Sequence, residues 1–502
     1  MGQTTRELGR AMFWSVLARV GRFVLGLASS ILIVRALGKN DYGVLSLLRV
    51  VLVFVGIVAG AGMGQSLLKF LPLLKVAGDR KSARRIVRWV IVIQIAAWAV
   101  ILLLSYLLAG WFESMFSFKG VGTILWIAVA LEVFELAFNL VSQVLNAHYD
   151  TKLLGAANIV GHAVLIVFLL ILLPAGFGVV GVFLATAAGN LASTLMVTRN
   201  VVRHLGVEGP REKSGGVEWG RLLRFSVPFA VIGVLNVIVW RQSETIFLAH
   251  FRGAAEAGFF DLAYRLPQTA LEFIPLTVWP IIMAGMSEAY AKDETRLNEA
   301  IDRYYRMLFL LCAPVCVIGM TLGGRVIPIL YGEEMLPAAI PTQLFFVIFP
   351  LSFLGTPLSM ALYVIEKSSA NLLVYSVLAI INVGLDLLLI PRFGIIGAMI
   401  PVGLAIAVSP LLYRYALGRY VSGTRIPFGF IGRCFLASSP VLVMLPFAGL
   451  IRGVPELCLA AAAACALVVF TAKRMKLLGK VELDMLGSVP IPAVNRLLKL
   501  VS

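Results

Sequence analysis

Apolar residues in this chain come in long runs, each about as long as a helix must be to cross the ~30 Å hydrocarbon layer of a bilayer. The pattern predicts fourteen helices, at 11–37, 42–68, 86–110, 121–147, 152–173, 176–198, 222–249, 257–288, 304–323, 338–365, 368–390, 394–413, 434–450 and 454–472. The expected fold class is an all-α polytopic membrane protein. The longest connection, 199–221, is polar and Gly-rich and splits the chain in two. No segment is long enough for a separate soluble catalytic domain, so the chain is not expected to be an enzyme.

The two halves carry the same punctuation. Gly38-x4-Gly43, with Asp41 inside it, recurs 215 residues on as Gly253-x4-Gly258 with Glu256 in the same place. Phe177-Gly178-Val-Val-Gly181 recurs 216 residues on as Phe393-Gly394-Ile-Ile-Gly397. Each stretch reads as a turn, where Gly supplies the positive φ a tight reversal needs. Six helices separate the copies, so both insert the same way round, as in transporters built from parallel repeats. The expected organisation is an N-lobe at 1–198, a cytoplasmic linker at 199–221 and a C-lobe at 222–418. Two added helices follow at 419–472, with a basic cytoplasmic tail at 473–502.

Composition changes the picture in one respect. The chain is 60% hydrophobic and 14% charged, yet its formal charge is +17. In a soluble protein that balance would suggest nucleic acid. Here the cations crowd onto alternate connections. Lys69, Lys75, Arg80, Lys81, Arg84, Arg85 and Arg88 alone outnumber the Lys and Arg of all the connections on the other side. By the positive-inside rule this predicts both termini in the cytoplasm. The charge is read as topology plus attraction to anionic lipid, with no nucleic-acid partner. All five cysteines fall in apolar segments, and no metal-ligand spacing joins the histidines, so no metal and no cofactor is expected.

Candidate chemistry lies in polar side chains at helical spacing within apolar runs. Ser15, Arg19, Arg22, Gly26 and Ser29 fall on one stripe, as do Ser46, Arg49, Gly56, Gly60 and Gly64. Glu132, Glu135, Asn139, Gln143 and Asn146 form a third; Asp261, Arg265, Gln268 and Glu272 a fourth; Asn371, Tyr375, Asn382 and Asp386 a fifth. Arg241 and Glu244 add to them. A cation at the centre of a membrane helix costs ~2.5–3.5 kcal/mol, so such residues face a partner or a cavity. Arg241–Glu244 and Arg265–Asp261 are spaced to pair locally. Arg19, Arg22 and Arg49 have no acid in their own helices, and forked guanidinium groups suit phosphate oxygens. Glu132 and Glu135, one turn apart, cannot both ionise cheaply in a membrane. They suit a proton or cation relay, or pair with Arg19 or Arg22. Arg35, near Asp41, reads as an interface anchor or ion pair.

The stretches Val34-Arg-Ala-Leu-Gly-Lys-Asn-Asp-Tyr-Gly43, Gly258-Phe-Phe-Asp-Leu-Ala-Tyr-Arg-Leu-Pro267 and Phe393-Gly-Ile-Ile-Gly397 resemble the signatures of polysaccharide transporters. These are Wzx-like oligosaccharide flippases, in a superfamily that also holds multidrug exporters and the lipid II flippase. The resemblance spans essentially the whole chain. It implies two six-helix lobes working by alternating access in the cytoplasmic membrane. The implied cargo is a polyprenyl-pyrophosphate-linked oligosaccharide, with membrane lipids and other polysaccharide-assembly membrane proteins as partners. It further implies that cavity arginines hold the pyrophosphate: Arg22 and Arg49 occupy matching positions, and Arg265 follows Gly258 at the family's interval. Arg19 and Arg241 are added from periodicity. Glu132, Glu135, Glu244, Glu272 and Asp386 are candidates for ion or proton coupling. Phe259-Phe260 and Glu244 depart from the tyrosine and aspartate common in relatives. A cation-coupled multidrug exporter is the alternative, disfavoured by the excess of arginine.

Overall fold

The computed structural model describes residues 2–76, 78–116, 118–206, 219–240, 243–477 and 479. Among them there are helices and no strand. Nine described helical stretches are long and apolar enough to cross a membrane, and the protein is a multi-pass membrane protein. The chain packs as two compact units, Met1–Gly258 and Phe259–Ser502.

The first unit contains α1 (Gly2–Gly60), α2 (Met63–Val76), α3 (Arg80–Leu107), α4 (Ala109–Phe116), α5 (Val121–Ala147), α6 (Thr151–Leu172), α7 (Gly178–Gly206), α8 (Trp219–Trp240) and α9 (Glu244–Phe251). Its core brings Met63, Leu67 and Leu74 of α2 against Val90 of α3, Val144 and Leu145 of α5, Val197 of α7 and Leu222 of α8. Polar side chains tie the apolar faces together. The Ser66 and Ser226 hydroxyls lie 2.6 Å apart between α2 and α8, and Ser193 of α7 donates to the Ala157 carbonyl of α6 at 2.8 Å. Each contact of this kind between membrane helices contributes ~0.6–2 kcal/mol.

α10 (Ala254–Lys292) starts at the end of the first unit and continues into the second. The second unit goes on with α11 (Glu294–Val326), α12 (Ala339–Ile348), α13 (Ser352–Val364), α14 (Ser368–Gly418), α15 (Phe428–Ser438) and α16 (Val454–Arg474). Phe260, Tyr264, Phe345 and Phe349 form an aromatic cluster with neighbouring centroids 4.9–6.0 Å apart. Phe260 is wholly buried there, so the apolar ring suits its surroundings. Val317 of α11 packs with Val441, Ala464 and Val468.

The repeated glycines do what their spacing predicted. α1 and α14 each join two helices across one non-helical residue, Gly38 (φ 70°) and Gly394 (φ 56°), where each turns. Their counterparts Gly253 (φ 98°) and Gly178 (φ 48°) also take positive φ. The second glycine of the motif has a different task. A Cβ on Gly43 would collide with the Ala254 carbonyl, and one on Gly258 would stand 3.0 Å from the Gly43 backbone. The two copies of the motif therefore meet backbone to backbone at their own glycines.

Several expectations about boundaries shift: the run at 42–68 breaks at Ala61 (φ 46°) and Gly62 (φ 67°) between α1 and α2, and the run at 338–365 is α12, a short 3₁₀ turn and α13. Arg80, Lys81, Arg84, Arg85 and Arg88 do not form a loop but open α3, which starts six residues earlier than its apolar run. Ser82, Ala83, Ile86 and Val87 are buried while Lys81, Arg84, Arg85 and Arg88 are exposed, so the helix continues amphipathically past its apolar part. Asp79 caps it, accepting from the Ser82 amide at 2.9 Å. The run at 222–249 is two helices, α8 and α9. The run at 434–450 is helical only to Ser438 and then proceeds in 3₁₀ turns, each opening on a proline, Pro440 or Pro446. The tail from 480 onward lies outside the described residues.

The glycine contact is testable. Gly43→Ala and Gly258→Ala should each lower the unfolding temperature of the purified protein, with overpacking costing ~1–3 kcal/mol. Gly60→Ala, where nothing lies within 4 Å of the added Cβ, should not. Equal melting of all three variants would refute a close backbone seam.

Candidate functional site

The polar stripe of α1 sits on both sides of the Gly38 turn. Arg22 is exposed on the first segment, and Arg49 is half-buried on the second. Ser29 donates to the Gly26 carbonyl at 2.9 Å and Ser46 to the Tyr42 carbonyl at 2.9 Å, each within its own helix. Two turns beyond Arg49, about 10 Å along the axis, Gly56 faces α5. A Cβ at Gly56 would lie 3.3 Å from the Glu132 Oε1 atom. The glycine thus leaves room for a carboxylate against the same face of α1 that carries Arg49.

Glu135, one turn on from Glu132, takes a different partner. Its Oε2 accepts from the Asn190 side-chain amide of α7 at 3.0 Å. Both glutamates are half-buried. The two carboxylates one turn apart are therefore held by different neighbours, Glu132 against α1 and Glu135 against α7. A Cβ on Gly64, the last residue of the stripe, would lie 3.4 Å from the Gln143 side chain. In the first unit the structure thus joins the predicted α1 stripe and the predicted α5 stripe into one polar seam. Glu244 is buried at the first residue of α9, where the helix N-terminus favours a negative charge.

In the second unit Arg265 lies 3.0 Å from Asp261, as the i,i+4 spacing predicted. Asp261 is wholly buried and Arg265 is 41% exposed, so the guanidinium sets an opposite charge beside a carboxylate withdrawn from solvent. Arg265 is first a structural counter-ion, and any ligand it meets shares it with Asp261. Asp386 is wholly buried on α14, and Asn371 of the same helix bonds Ser359 of α13 at 3.2 Å. Arg241 lies outside the described residues, as do the side chains of Arg19 and Glu272.

Two features escaped the sequence reading. Asn190 was not singled out, because it sits in α7 among small residues and 55 positions from its glutamate. His148 and His204 stack with centroids 4.6 Å apart, and the His204 Nε2 atom is 3.6 Å from Asp150. Among the described residues no cluster of three His, Cys, Asp or Glu could hold a metal. Burial pushes the His148 ring below its ordinary value of 6.5, and the charges of His204 and Lys75 add to this against the opposing bond to the Val144 carbonyl.

With this geometry in place, likeness to known proteins can be stated. The family described as polysaccharide biosynthesis protein matches residues 32–340, more than half the chain, and the protein belongs to that family. No curated protein matches it in sequence. Among solved structures, an inward closed conformation of the lipid II flippase MurJ superposes with a TM-score of 0.74 at 12% identity, covering 92% of this chain and 98% of that one. An inward-facing multidrug resistance MATE family transporter of the MOP superfamily gives 0.64 at 17% identity, over 79% and 95% of the two chains. A MOP superfamily transporter from Pyrococcus furiosus, described as having a binding pocket of reversed polarity, gives 0.57 at 17% identity, over 82% and 94%. The fold is the one these transporters share.

The lowered His148 value fixes the sign of a pH effect. Between that value and 6.5 the unfolded chain binds more protons than the folded one, so stability is fully present above 6.5 and is lost as pH falls below it. The unfolding temperature of purified protein should drop from pH 7.5 to pH 5, and His148→Gln should flatten part of that slope. An unchanged slope in the variant would remove His148 from the account.

Proposed function

We propose that this protein is a flippase that moves a polyprenyl-pyrophosphate-linked oligosaccharide across the cytoplasmic membrane for cell-surface polysaccharide synthesis. Membership of the polysaccharide biosynthesis family is the observation that carries this reading. The fold shared with a lipid II flippase supports it, because lipid II also names a lipid-linked cargo. The arrangement we infer is fourteen spans with both termini in the cytoplasm. In it the Gly38 and Gly394 turns each divide a long helical stretch into two crossings, with an N-lobe at 1–198, a C-lobe at 222–418 and two added helices at 419–472.

In this proposal Arg22 and Arg49 hold the pyrophosphate while the lipid tail stays in the bilayer. Arg19, Arg241 and Arg265 extend the basic surface. Arginine suits the task because its charge persists and its N–H groups fork onto two oxygens. No bond is made or broken; alternating access exposes the sugars on the far side. The Glu132–Glu135 pair beside the Arg49 face is the best-placed group for coupling to an ion or proton, with Glu244, Glu272 and Asp386 as further candidates. Other polysaccharide-assembly membrane proteins take the cargo onward.

Binding of a short-chain polyprenyl pyrophosphate tests this directly. Arg22→Gln and Arg49→Gln should each weaken binding about tenfold or more, since a charged hydrogen bond contributes ~1.5–3 kcal/mol. Glycan export in cells should fall in parallel. Arg265→Gln is a poor probe, because it also removes the ion pair with buried Asp261. Unchanged binding in the Arg22/Arg49 double variant would sink the proposal. Thermal stabilisation by organic cations but not by polyprenyl pyrophosphate would favour a multidrug exporter instead.

A further inference from the structure

The second half of α14 carries an exposed stripe of apolar side chains, Ile400, Leu404 and Leu411, which are 47%, 42% and 66% exposed. Steps of four and seven residues put them on one helix face. On a membrane-spanning helix such a face is covered by acyl chains. The stripe leads into a shallow cleft at the end of the helix, lined by Leu411, Arg414, Tyr415, Gly418 and Arg419.

That cleft is cationic. Neither Arg414 nor Arg419 has a carboxylate partner among the described residues. Arg419 is held along the rim: its N–H donates to the Tyr415 hydroxyl at 2.7 Å, and its guanidinium lies 4.7 Å from the ring centroid. Lys367 brings a third cation to the neighbouring residue, standing 5.0 Å over the Tyr420 ring. Glu366 precedes Lys367 in the chain, and the five residues that line the cleft include two arginines and no acid. Cations at a helix C-terminus also offset the helix dipole. That role needs charge alone, and explains neither the apolar lead-in nor the aromatic backing. Tyrosines at the end of a span, next to arginine, mark the depth of lipid headgroups.

We propose that this cleft is a binding site for an anionic phospholipid of the surrounding bilayer. Its phosphate sits between Arg414 and Arg419, and one acyl chain lies along Leu411, Leu404 and Ile400. Gly418, exposed and without a side chain, leaves the headgroup room to approach the last turn. The site shares no residue with the arginines proposed for the transported cargo.

Native mass spectrometry of the full-length protein, released from nanodiscs of phosphatidylglycerol and phosphatidylcholine in equal parts, reads the site. The wild type should retain phosphatidylglycerol preferentially. Arg414→Gln with Arg419→Gln should reduce that preference about tenfold or more, while Arg414→Lys with Arg419→Lys should keep part of it. Unfolding temperature in phosphatidylcholine alone, expected to be unchanged by either pair, separates lost binding from lost folding. An intact preference in the glutamine double variant overturns the proposal. So does displacement of phosphatidylglycerol by a short-chain polyprenyl phosphate, which would make the cleft a cargo site. Displacement by inorganic phosphate would equally overturn it, showing a site for a free anion.

Discussion

Hydrocarbon offers a polypeptide no hydrogen-bond partners, and this one constraint reaches every level of the structure. A membrane chain must keep its amides and carbonyls paired within helices, so it can reverse only where the backbone turns in very few residues. α1 and α14 turn at a single left-handed glycine each and resume helix at once. The same economy governs contact between helices. With apolar lipid on one side and apolar side chains on the other, the hydrophobic effect gives little reason for helices to associate, and close packing plus scattered polar contacts supply the rest. The Gly43–Gly258 seam and the Ser66–Ser226 contact are the two forms this takes here.

Charge in such a medium is tolerated only with company. Asp261 is buried because Arg265 lies beside it one turn away. Glu135 is held by the Asn190 amide, and Glu132 occupies the space left by the missing side chain of Gly56. The basic residues at the start of α3 keep to the exposed face of a helix whose other face is buried. Arg22 is exposed on the first segment of α1, and Arg49 is half-buried on the second, on the face that meets Glu132.

Much of this could be read in the chain, because the features concerned are local. Helix length, the positive φ of Gly38 and Gly394, and the Asp261–Arg265 pair all follow from residues within a few positions of each other. What escaped depends on distant segments meeting. No spacing connects Glu135 with Asn190 or His148 with His204. The start of α3 was hidden for another reason: its first turns are charged, and an apolar-run criterion stops where an amphipathic helix leaves the bilayer. The 3₁₀ course after Ser438 reflects two prolines whose effect an apolar run does not register.

The meeting of Gly43 with Gly258 also bears on how such a chain can change over time. After an internal duplication the two copies are ordinarily free to drift apart, each keeping only what its own surroundings require. Here each copy is part of the other's surroundings at the same position. A methyl group gained by either glycine is felt by both, so selection acts on the pair as one character. The seam thus ties the two copies of the motif to one another: room for a side chain at either glycine has to be found at both.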